Sequence, residues 1–543
     1  MTAKLRIALA QLDLLVGDID GNIQKIIQSS IKARDELKAD LVIFPELSIT
    51  GYPPEDFLFR EAFLEKIEDA MNTLKKEVKD IYLLVGTPQK RGTQLFNTCA
   101  LIYNGEIVAT YAKQKLPNYG VFDEERYFDR GTQSCVVNIK DVPVGLLICE
   151  DIWHEDAVEA TIQKGAKILL SINASPFEVD KDARRQQLIQ KYSANAHIPF
   201  IYLNTVGGQD ELVFDGGSLV FNEKGELCQH LAFFKEEVRA FDCIFENGKV
   251  SISDVTTWEE IPTDEKIYQC LMLGLRDYVQ KNGFRHVLLG VSGGIDSALV
   301  LAIAVDALSK ENVTAVMLPS RYTSDMSMED GLALIKNLGV EQEIISIEPS
   351  YNAFLESLAP VFGDKKPDIT EENLQARCRG TILMALSNLK TSLVLSTSNR
   401  SELAMGYGTL YGDMVGGFNV LRDIPKTLVY RLAEYRNQIS PIIPARIIER
   451  APSAELRHDQ KDEDSLPPYD ILDPILALYI EKEKSIKAII AEGFPEDTVK
   501  FVVRAVLKNE YKRRQGAPGV RINHKAFGRD RRYPMTARDP ELK

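Results

Sequence analysis

The sequence predicts an α/β protein built as two units in tandem, and three observations carry that prediction. Short apolar runs rich in Val, Ile and Leu recur through the first half, separated by polar stretches, as buried strands alternating with helices do. From Phe245 to Pro262 the sequence FENGKVSISDVTTWEEIP loses that periodicity. Beyond it, a helically spaced segment and a fresh apolar run, HVLLGV, begin a second α/β pattern. The domains read as 1–245 and 263–543, joined by a linker over 246–262. With 543 residues, 45 % of them hydrophobic, the chain can fill two to four cores at roughly 150 residues per domain.

In chain order, LRIALAQ, ADLVIFPE, IYLLVG, CALIYNG, VPVGLLICE, AKILLSIN and PFIYLNT read as strands of the first unit. Tyr103-Asn104-Gly105-Glu106 reads as a hairpin turn between CALIY and IVATY, because Asn-Gly accepts the positive φ of such turns. Asn222-Glu223-Lys224-Gly225 reads as a second turn. A helix begins at Thr263, with Asp264 and Glu265 at its positive end, and Ile267, Leu271, Leu275 and Tyr278 mark its apolar face. The polar segment Ala454 to Asp470 reads as a long mobile loop.

Composition excludes several classes of function. A formal charge of −14 and a pI near 5.2 disfavour nonspecific nucleic-acid binding, which needs a basic face. No stretch approaches about 18 uninterrupted apolar residues, so no membrane-spanning helix is expected, and the N-terminus lacks a signal-peptide pattern. Seven scattered cysteines without CxxC spacing read as reduced thiols of a cytoplasmic protein.

The most informative stretch is HVLLGVSGGIDSALVLAIAVDAL. A strand runs into Ser292-Gly293-Gly294-Ile295-Asp296-Ser297, and an apolar helix follows. Paired glycines let the backbone approach a phosphate, and the free amides of the helix start aim at it. Asp296 inside such a loop would repel phosphate unless a divalent cation lay between them, which makes it a candidate magnesium ligand. No GxxxxGK[ST] motif is present. The stretch resembles the pyrophosphate-binding loop of N-type ATP pyrophosphatases, which split ATP into AMP and pyrophosphate. Farther on, TSNRSE (Thr397–Glu402), YGD ending at Asp413, and PKTLVY from Pro425 follow the order of the NAD synthetase family. That resemblance implies a doubly wound parallel sheet. It implies ATP contacts from Gly290, Ser292, Gly293, Gly294, Asp296, Ser297, Arg321 and Thr397. It implies deamido-NAD contacts from Arg377, Arg379, Asn399, Glu402, Asp413, Lys426 and Lys512 (Asp413 and Lys426 to that ligand or to the triphosphate), with magnesium held by Asp296 and Glu402.

In the first unit Glu46, Lys113 and Cys149 each follow a predicted strand. A thiol to attack an amide, a carboxylate to take its proton and an ammonium to stabilise the oxyanion form a complete acyl-transfer set. This ordered trio resembles the nitrilase superfamily, an α-β-β-α sandwich. CEDIW and the spacing around KQKLPNYGVFDE resemble the glutaminase half of glutamine-dependent NAD synthetases. The resemblance implies a glutamine site with Tyr119, Glu124, Ser175 and Lys181; Arg184 and Arg185 stand close enough to replace Lys181. Where many nitrilases place a histidine after the lysine, this chain has Lys115.

The two resemblances together imply amidation of deamido-NAD to NAD through an acyl-adenylate, with ATP as co-substrate and ammonia drawn from glutamine. They also imply a homodimer or larger homo-oligomer paired through the synthetase unit. Another ATP-pyrophosphatase amidotransferase with a different acceptor is the alternative; a ligand sensor with a degenerate site and a nucleic-acid binder with a basic tail are the readings from other classes.

Overall fold

The computed structural model describes residues 2–252, 255–458, 460–538 and 540–542. It divides into two compact units, Met1–Ile261 and Pro262–Lys543. Ser253 and Asp254 of the expected linker, and Asp459 of the polar segment, lie outside the described residues.

The first unit stacks two sheets. One has seven strands among the described residues, in the order Lys249–Ser251, Glu237–Glu246, Thr2–Gln11, Leu41–Ile43, Tyr82–Arg91, Gln94–Tyr103, Glu106–Ala112. The other has six: Leu227–His230, Leu219–Phe221, Phe200–Asn204, Ile168–Asn173, Val142–Ile148, Cys135–Ile139. The middle three strands of each sheet that carry the apolar runs are parallel, and antiparallel hairpins extend them at the edges.

Strand periodicity explains the layering. Leu5, Ile7 and Leu9 point into one core with Val144, Leu146, Ile148, Ile168 and Leu170 of the other sheet. The alternate residues Ala8 and Ala10 face Ile19, Ile23, Ile26, Ile67 and Leu74 of the helices Ile19–Asp35 and Glu61–Glu77. On the far side Leu147, Leu169 and Phe200 pack against Val158, Ile189 and Tyr192 of the helices Glu155–Gln163 and Lys181–Ala196. Both faces of both sheets are covered, which is why their strands read as continuous apolar runs. The result is the α-β-β-α sandwich, and Cys99, Cys228 and Cys243 fill its central layer.

Asn104 and Gly105, at φ 48° and 96°, make the predicted hairpin turn. Part of the expected linker proves to be sheet. Lys249–Ser251 pairs antiparallel with Ile244–Glu246 through a turn at Asn247-Gly248; three residues are too short for a period-2 signal to show in sequence.

Among the described residues the second unit carries a five-stranded, wholly parallel sheet in the order Glu341–Ile344, Val313–Met317, Val287–Gly290, Leu393–Ser396, Phe418–Asn419. Chain order reverses between Val287–Gly290 and Leu393–Ser396, the point at which open α/β sheets bind ligands. The helix Ile295–Leu308 is buried on every side from Ser297 to Ala304, as its almost wholly apolar sequence requires. Helix Thr263–Lys281 starts where the sequence predicts, and Ile267, Leu271 and Leu275 are buried. Among the described residues no helix is long and apolar enough to cross a membrane.

Candidate active sites

In the first unit the ends of strands gather one charged cluster. Glu46 follows Leu41–Ile43, Lys113 follows Glu106–Ala112, and Cys149 follows Val142–Ile148. All three are buried. The Lys113 ammonium donates to Glu46 Oε1 at 2.7 Å and to both Glu124 oxygens at 2.8 Å. Glu46 also accepts from the Asn97 side chain at 2.8 Å and from the Ala174 amide at 3.0 Å. Tyr52 donates to Glu124 at 2.8 Å.

Burial and charge set the proton affinities. Burial pushes the Cys149 thiol well up and Glu46 adds to the rise, with Lys113 opposing it. Burial by itself would lower the Lys113 ammonium, but Glu124 and Glu46 outweigh it and hold the amine well above its ordinary value. Burial drives Glu124 up to about 7, against the pull of Lys113. A thiol in this pocket therefore needs a neighbouring base at the moment of attack, and a fixed cation to receive negative charge.

The remaining predicted glutamine residues have these surroundings. Tyr119 is half exposed and donates to Glu150 at 2.9 Å. Ser175 is buried, its amide donating to Asn204 Oδ1 at 2.9 Å. Lys181 is also buried, its ammonium 3.6 Å from Glu178 and 5.8 Å from the centre of the Phe122 ring. The neighbouring arginines are otherwise engaged: Arg184 pairs with Glu178, and Arg185 with Asp215 and the Ser175 and Pro176 carbonyls. Among these three cations, Lys181 is the one that lies over the Phe122 ring, which in turn packs edge-to-face with Tyr119.

In the second unit a cavity of about 380 Å³ opens at the switch point of the sheet. Gly290, Ser292, Gly294, Asp296 and Ser297 line it from the strand end, the loop and the helix start; Thr397, Glu402, Asp413, Lys426, Arg379 and Lys512 line it from elsewhere. Gly293 sits at φ 80°, and a Cβ there would lie 2.4 Å from the Ser327 carbonyl oxygen, so only glycine fits. Ser292 and Ser297 bond to each other at 3.2 Å, and the Gly294 amide donates to Ser292 Oγ at 3.2 Å, which shapes the loop.

The Lys426 ammonium pairs with Asp296 and lies 3.9 Å from Glu402. Asn399 joins the two elements: its Nδ2 donates to Asp296 at 2.9 Å, and its Oδ1 caps the helix Arg400–Met405 by accepting from the Glu402 amide at 2.9 Å. Burial, with Asp296 adding to it, raises the Glu402 carboxyl well above its usual range. Lys426 stays charged because Asp296 and Glu402 outweigh the cost of burial. Two carboxylates sharing one cation beside a helix N-terminus are a donor set suited to magnesium with phosphate oxygens, so the residues present fit that ion.

Several placements differ from the sequence reading. Arg321 is exposed and bonds Glu348 and Asn352, and Arg377 is exposed and donates to the Leu410 carbonyl; neither lines the cavity. Opposite charge close by in the fold, invisible in sequence, draws Arg321 aside. The segment from Ala454 is tied down instead of loose. Glu455 accepts from Ser324 and Ser327 Oγ at 2.9 and 2.7 Å, and Asp462 is buried and accepts from Tyr469 at 2.8 Å. Residues that sequence reasoning missed include Tyr52, Asn97, Glu150 and Asp151 around the thiol, and Arg450, Glu455 and Asp462 around the second cavity. Only Glu150 and Asp151 carried a signal, their place within CEDIW.

Comparison with known proteins covers the whole length. A carbon-nitrogen hydrolase family model matches residues 6–247 and an NAD synthase model matches residues 267–516. The chain is 49 % identical over 538 residues to a glutamine-dependent NAD(+) synthetase of Xanthomonas campestris pv. campestris, spanning 98 % of this chain and 97 % of that protein. It is 43 % identical over 574 residues to the glutamine-dependent NAD(+) synthetase of Thermotoga maritima, spanning 99 % of each. The structure of glutamine-dependent NAD+ synthetase from Acinetobacter baumannii in complex with adenosine diphosphate matches with a TM-score of 0.80 at 45 % identity, covering 99 % and 100 % of the two chains.

Proposed function

The chain belongs to the glutamine-dependent NAD(+) synthetases, and from that premise we propose which residues run each half of the reaction. The reaction is the ATP-dependent amidation of deamido-NAD to NAD through an acyl-adenylate, with glutamine as nitrogen donor. AMP, pyrophosphate and glutamate are the other products.

In the first unit Cys149 Sγ attacks the side-chain carbonyl of glutamine. Glu46 takes the thiol proton and delivers it to the departing ammonia. The Lys113 ammonium, held between Glu46 and Glu124, stabilises the oxyanion. Water, activated by Glu46, then cleaves the thioester to glutamate. Tyr119, Ser175 and Lys181 hold the amino-acid end of the substrate. The observation that carries this half is the buried Lys113 ammonium, bonded to both carboxylates, which is a preformed cation facing a buried thiol.

A carboxylate is a poor electrophile, so the second unit activates the nicotinate carboxylate before ammonia arrives. The Ser292–Ser297 loop and the amides at the start of helix Ile295–Leu308 take the phosphates, with Thr397 beside ATP. Arg379, Asp413 and Lys512 face deamido-NAD, while Asn399, buried and outside the cavity lining, holds Asp296 and caps the helix Arg400–Met405 instead. Asp296 and Glu402 would hold magnesium, which when bound offsets the charge between the loop carboxylate and the phosphate oxygens. Lys426 orients Asp296. We place this enzyme in the cytoplasm with its soluble substrates, paired as a homodimer or larger homo-oligomer through the synthetase unit.

The test uses purified protein, ATP, magnesium and deamido-NAD, with glutamine or ammonium chloride as nitrogen source, following NAD and AMP. Both donors should yield NAD with AMP alongside. NAD from ammonium alone would refute the glutaminase assignment, and NAD from neither would refute the acceptor.

A further inference from the structure

Cys149 stands at φ 45°, in the left-handed region that a residue with a side chain occupies only when its surroundings hold it. It lies between the strand Val142–Ile148 and the short turn Cys149–Trp153, a sharp bend that presents the thiol at a strand end. Two residues on, Asp151 is fully buried, and both its oxygens are saturated. Oδ2 accepts from the Ile148 amide at 3.0 Å and from the Tyr111 hydroxyl at 2.7 Å. Oδ1 accepts from the Gln114 amide at 3.0 Å and from the Lys115 amide at 2.9 Å.

These four donors come from two places that sequence keeps apart. Ile148 immediately precedes the thiol; Gln114 and Lys115 immediately follow Lys113. On the other side of Lys113, its own amide donates to the Asn97 carbonyl at 2.9 Å. One carboxylate thus ties the bend that carries Cys149 to the segment that carries Lys113.

We propose that Asp151 is the positioning residue of the glutaminase site, fixing the thiol of Cys149 against the ammonium of Lys113 through backbone hydrogen bonds to both segments. Asp151 touches neither glutamine nor the reacting atoms; it acts through the geometry of those that do. This inference rests on the proposed roles of Cys149 and Lys113.

The experiment is Asp151→Asn in the full-length enzyme. Asparagine keeps the shape but turns an NH2 group towards a pair of donors that need an acceptor, so one of the two ties is lost. The kcat of glutamine hydrolysis should fall roughly 100-fold, the size of effect expected from a displacement of about 1 Å at a reacting centre. KM for glutamine should stay near wild type, because Tyr119, Ser175 and Lys181 are untouched. The pH profile of Cys149 alkylation by iodoacetamide should move to higher pH as the ammonium leaves the thiol. Ammonium-driven NAD synthesis, carried by the other unit, reports that the chain is folded. Wild-type kcat and an unmoved alkylation profile would overturn the proposal, as would a rise in KM with kcat unchanged. If Asp151→Asn does not fold, Tyr111→Phe decides: it removes one of the four donors, and an unaltered kcat and profile would overturn the proposal while a several-fold fall in kcat with the same shift of profile would support it. Cys149→Ala run alongside separates the two ideas, since glutamine-driven synthesis surviving in that variant refutes the underlying site and not merely the tie.

Discussion

Lys426, in the first turn of its helix, pairs with Asp296 at the start of the helix Ile295–Leu308, 130 residues away in sequence. Lys426 is almost wholly buried, and Glu402 shares its charge. Replacing it with methionine leaves two carboxylates facing each other without a cation. Removal of one partner of a buried pair costs about 3–5 kcal/mol, so Lys426→Met should lower the melting temperature in chelator. Added magnesium should restore part of that loss. A variant as stable as wild type in chelator would show that the two carboxylates do not need the cation between them.

Division of labour gives the second prediction. Cys149→Ala should abolish NAD synthesis from glutamine and leave synthesis from ammonium salts largely intact, whereas Asp296→Ala should stop both. Collapse of the ammonium-driven reaction in a folded Cys149→Ala enzyme would contradict the assignment of chemistry to the two units.

Glu124 makes stability depend on pH. Burial, outweighing the attraction of Lys113, raises its carboxyl from 4.5 to about 7, so the folded state holds that proton more tightly than the unfolded chain does. Its contribution is fully present below about pH 4.5 and is lost as pH rises to about 7. Relative to Glu124→Gln, the wild type should therefore lose stability between those pH values and run parallel above them. Thermal denaturation of both proteins at a series of pH values measures the difference; a constant gap would sink the claim.

Gly86 lies in the strand Tyr82–Arg91 directly under the backbone that bears Glu46. A Cβ there would meet the Leu47 nitrogen at 2.3 Å, the Pro45 carbonyl oxygen at 2.6 Å and the Glu46 carbonyl carbon at 2.8 Å. Backbone has no rotamer with which to yield. Gly86→Ala should cost about 1–3 kcal/mol, the usual range for overpacking, and should depress glutamine hydrolysis more than ammonium-driven synthesis. Unchanged hydrolysis would mean that the Glu46 loop moves without consequence.

Much of the fold is legible in the chain itself, as are many of the residues that the fold gathers into the two candidate sites. The apolar runs are strands because both faces of each sheet of the first unit are covered, and burial on both faces erases alternation in favour of continuous Val, Ile and Leu. SGGIDS holds the junction of a loop and a buried helix that begins at Ile295, because Gly293 takes a positive φ and the sequence behind it is almost wholly apolar. Glu46, Lys113, Cys149, Asp296, Glu402 and Lys426 are recognisable because each stands at a strand end or helix start within a local motif. Arg321 escapes such a reading because a local motif cannot reveal that Glu348 stands across from it.

What sequence alone determined is therefore local: the alternation of elements, the two-part order of the chain, and the residue types that each motif brings to a strand end. What only the tertiary structure decided is which of those groups share one space and in what charge state. Lys113 holding Glu46 and Glu124 together, Asp151 tying Gln114 and Lys115 to Ile148, and Asp462 drawn in beside Lys426 are all contacts between distant segments. The reason is physical. Periodicity and turn chemistry act over a few residues, whereas desolvation and Coulomb interaction depend on distances in space, and those exist only once the sheets have packed.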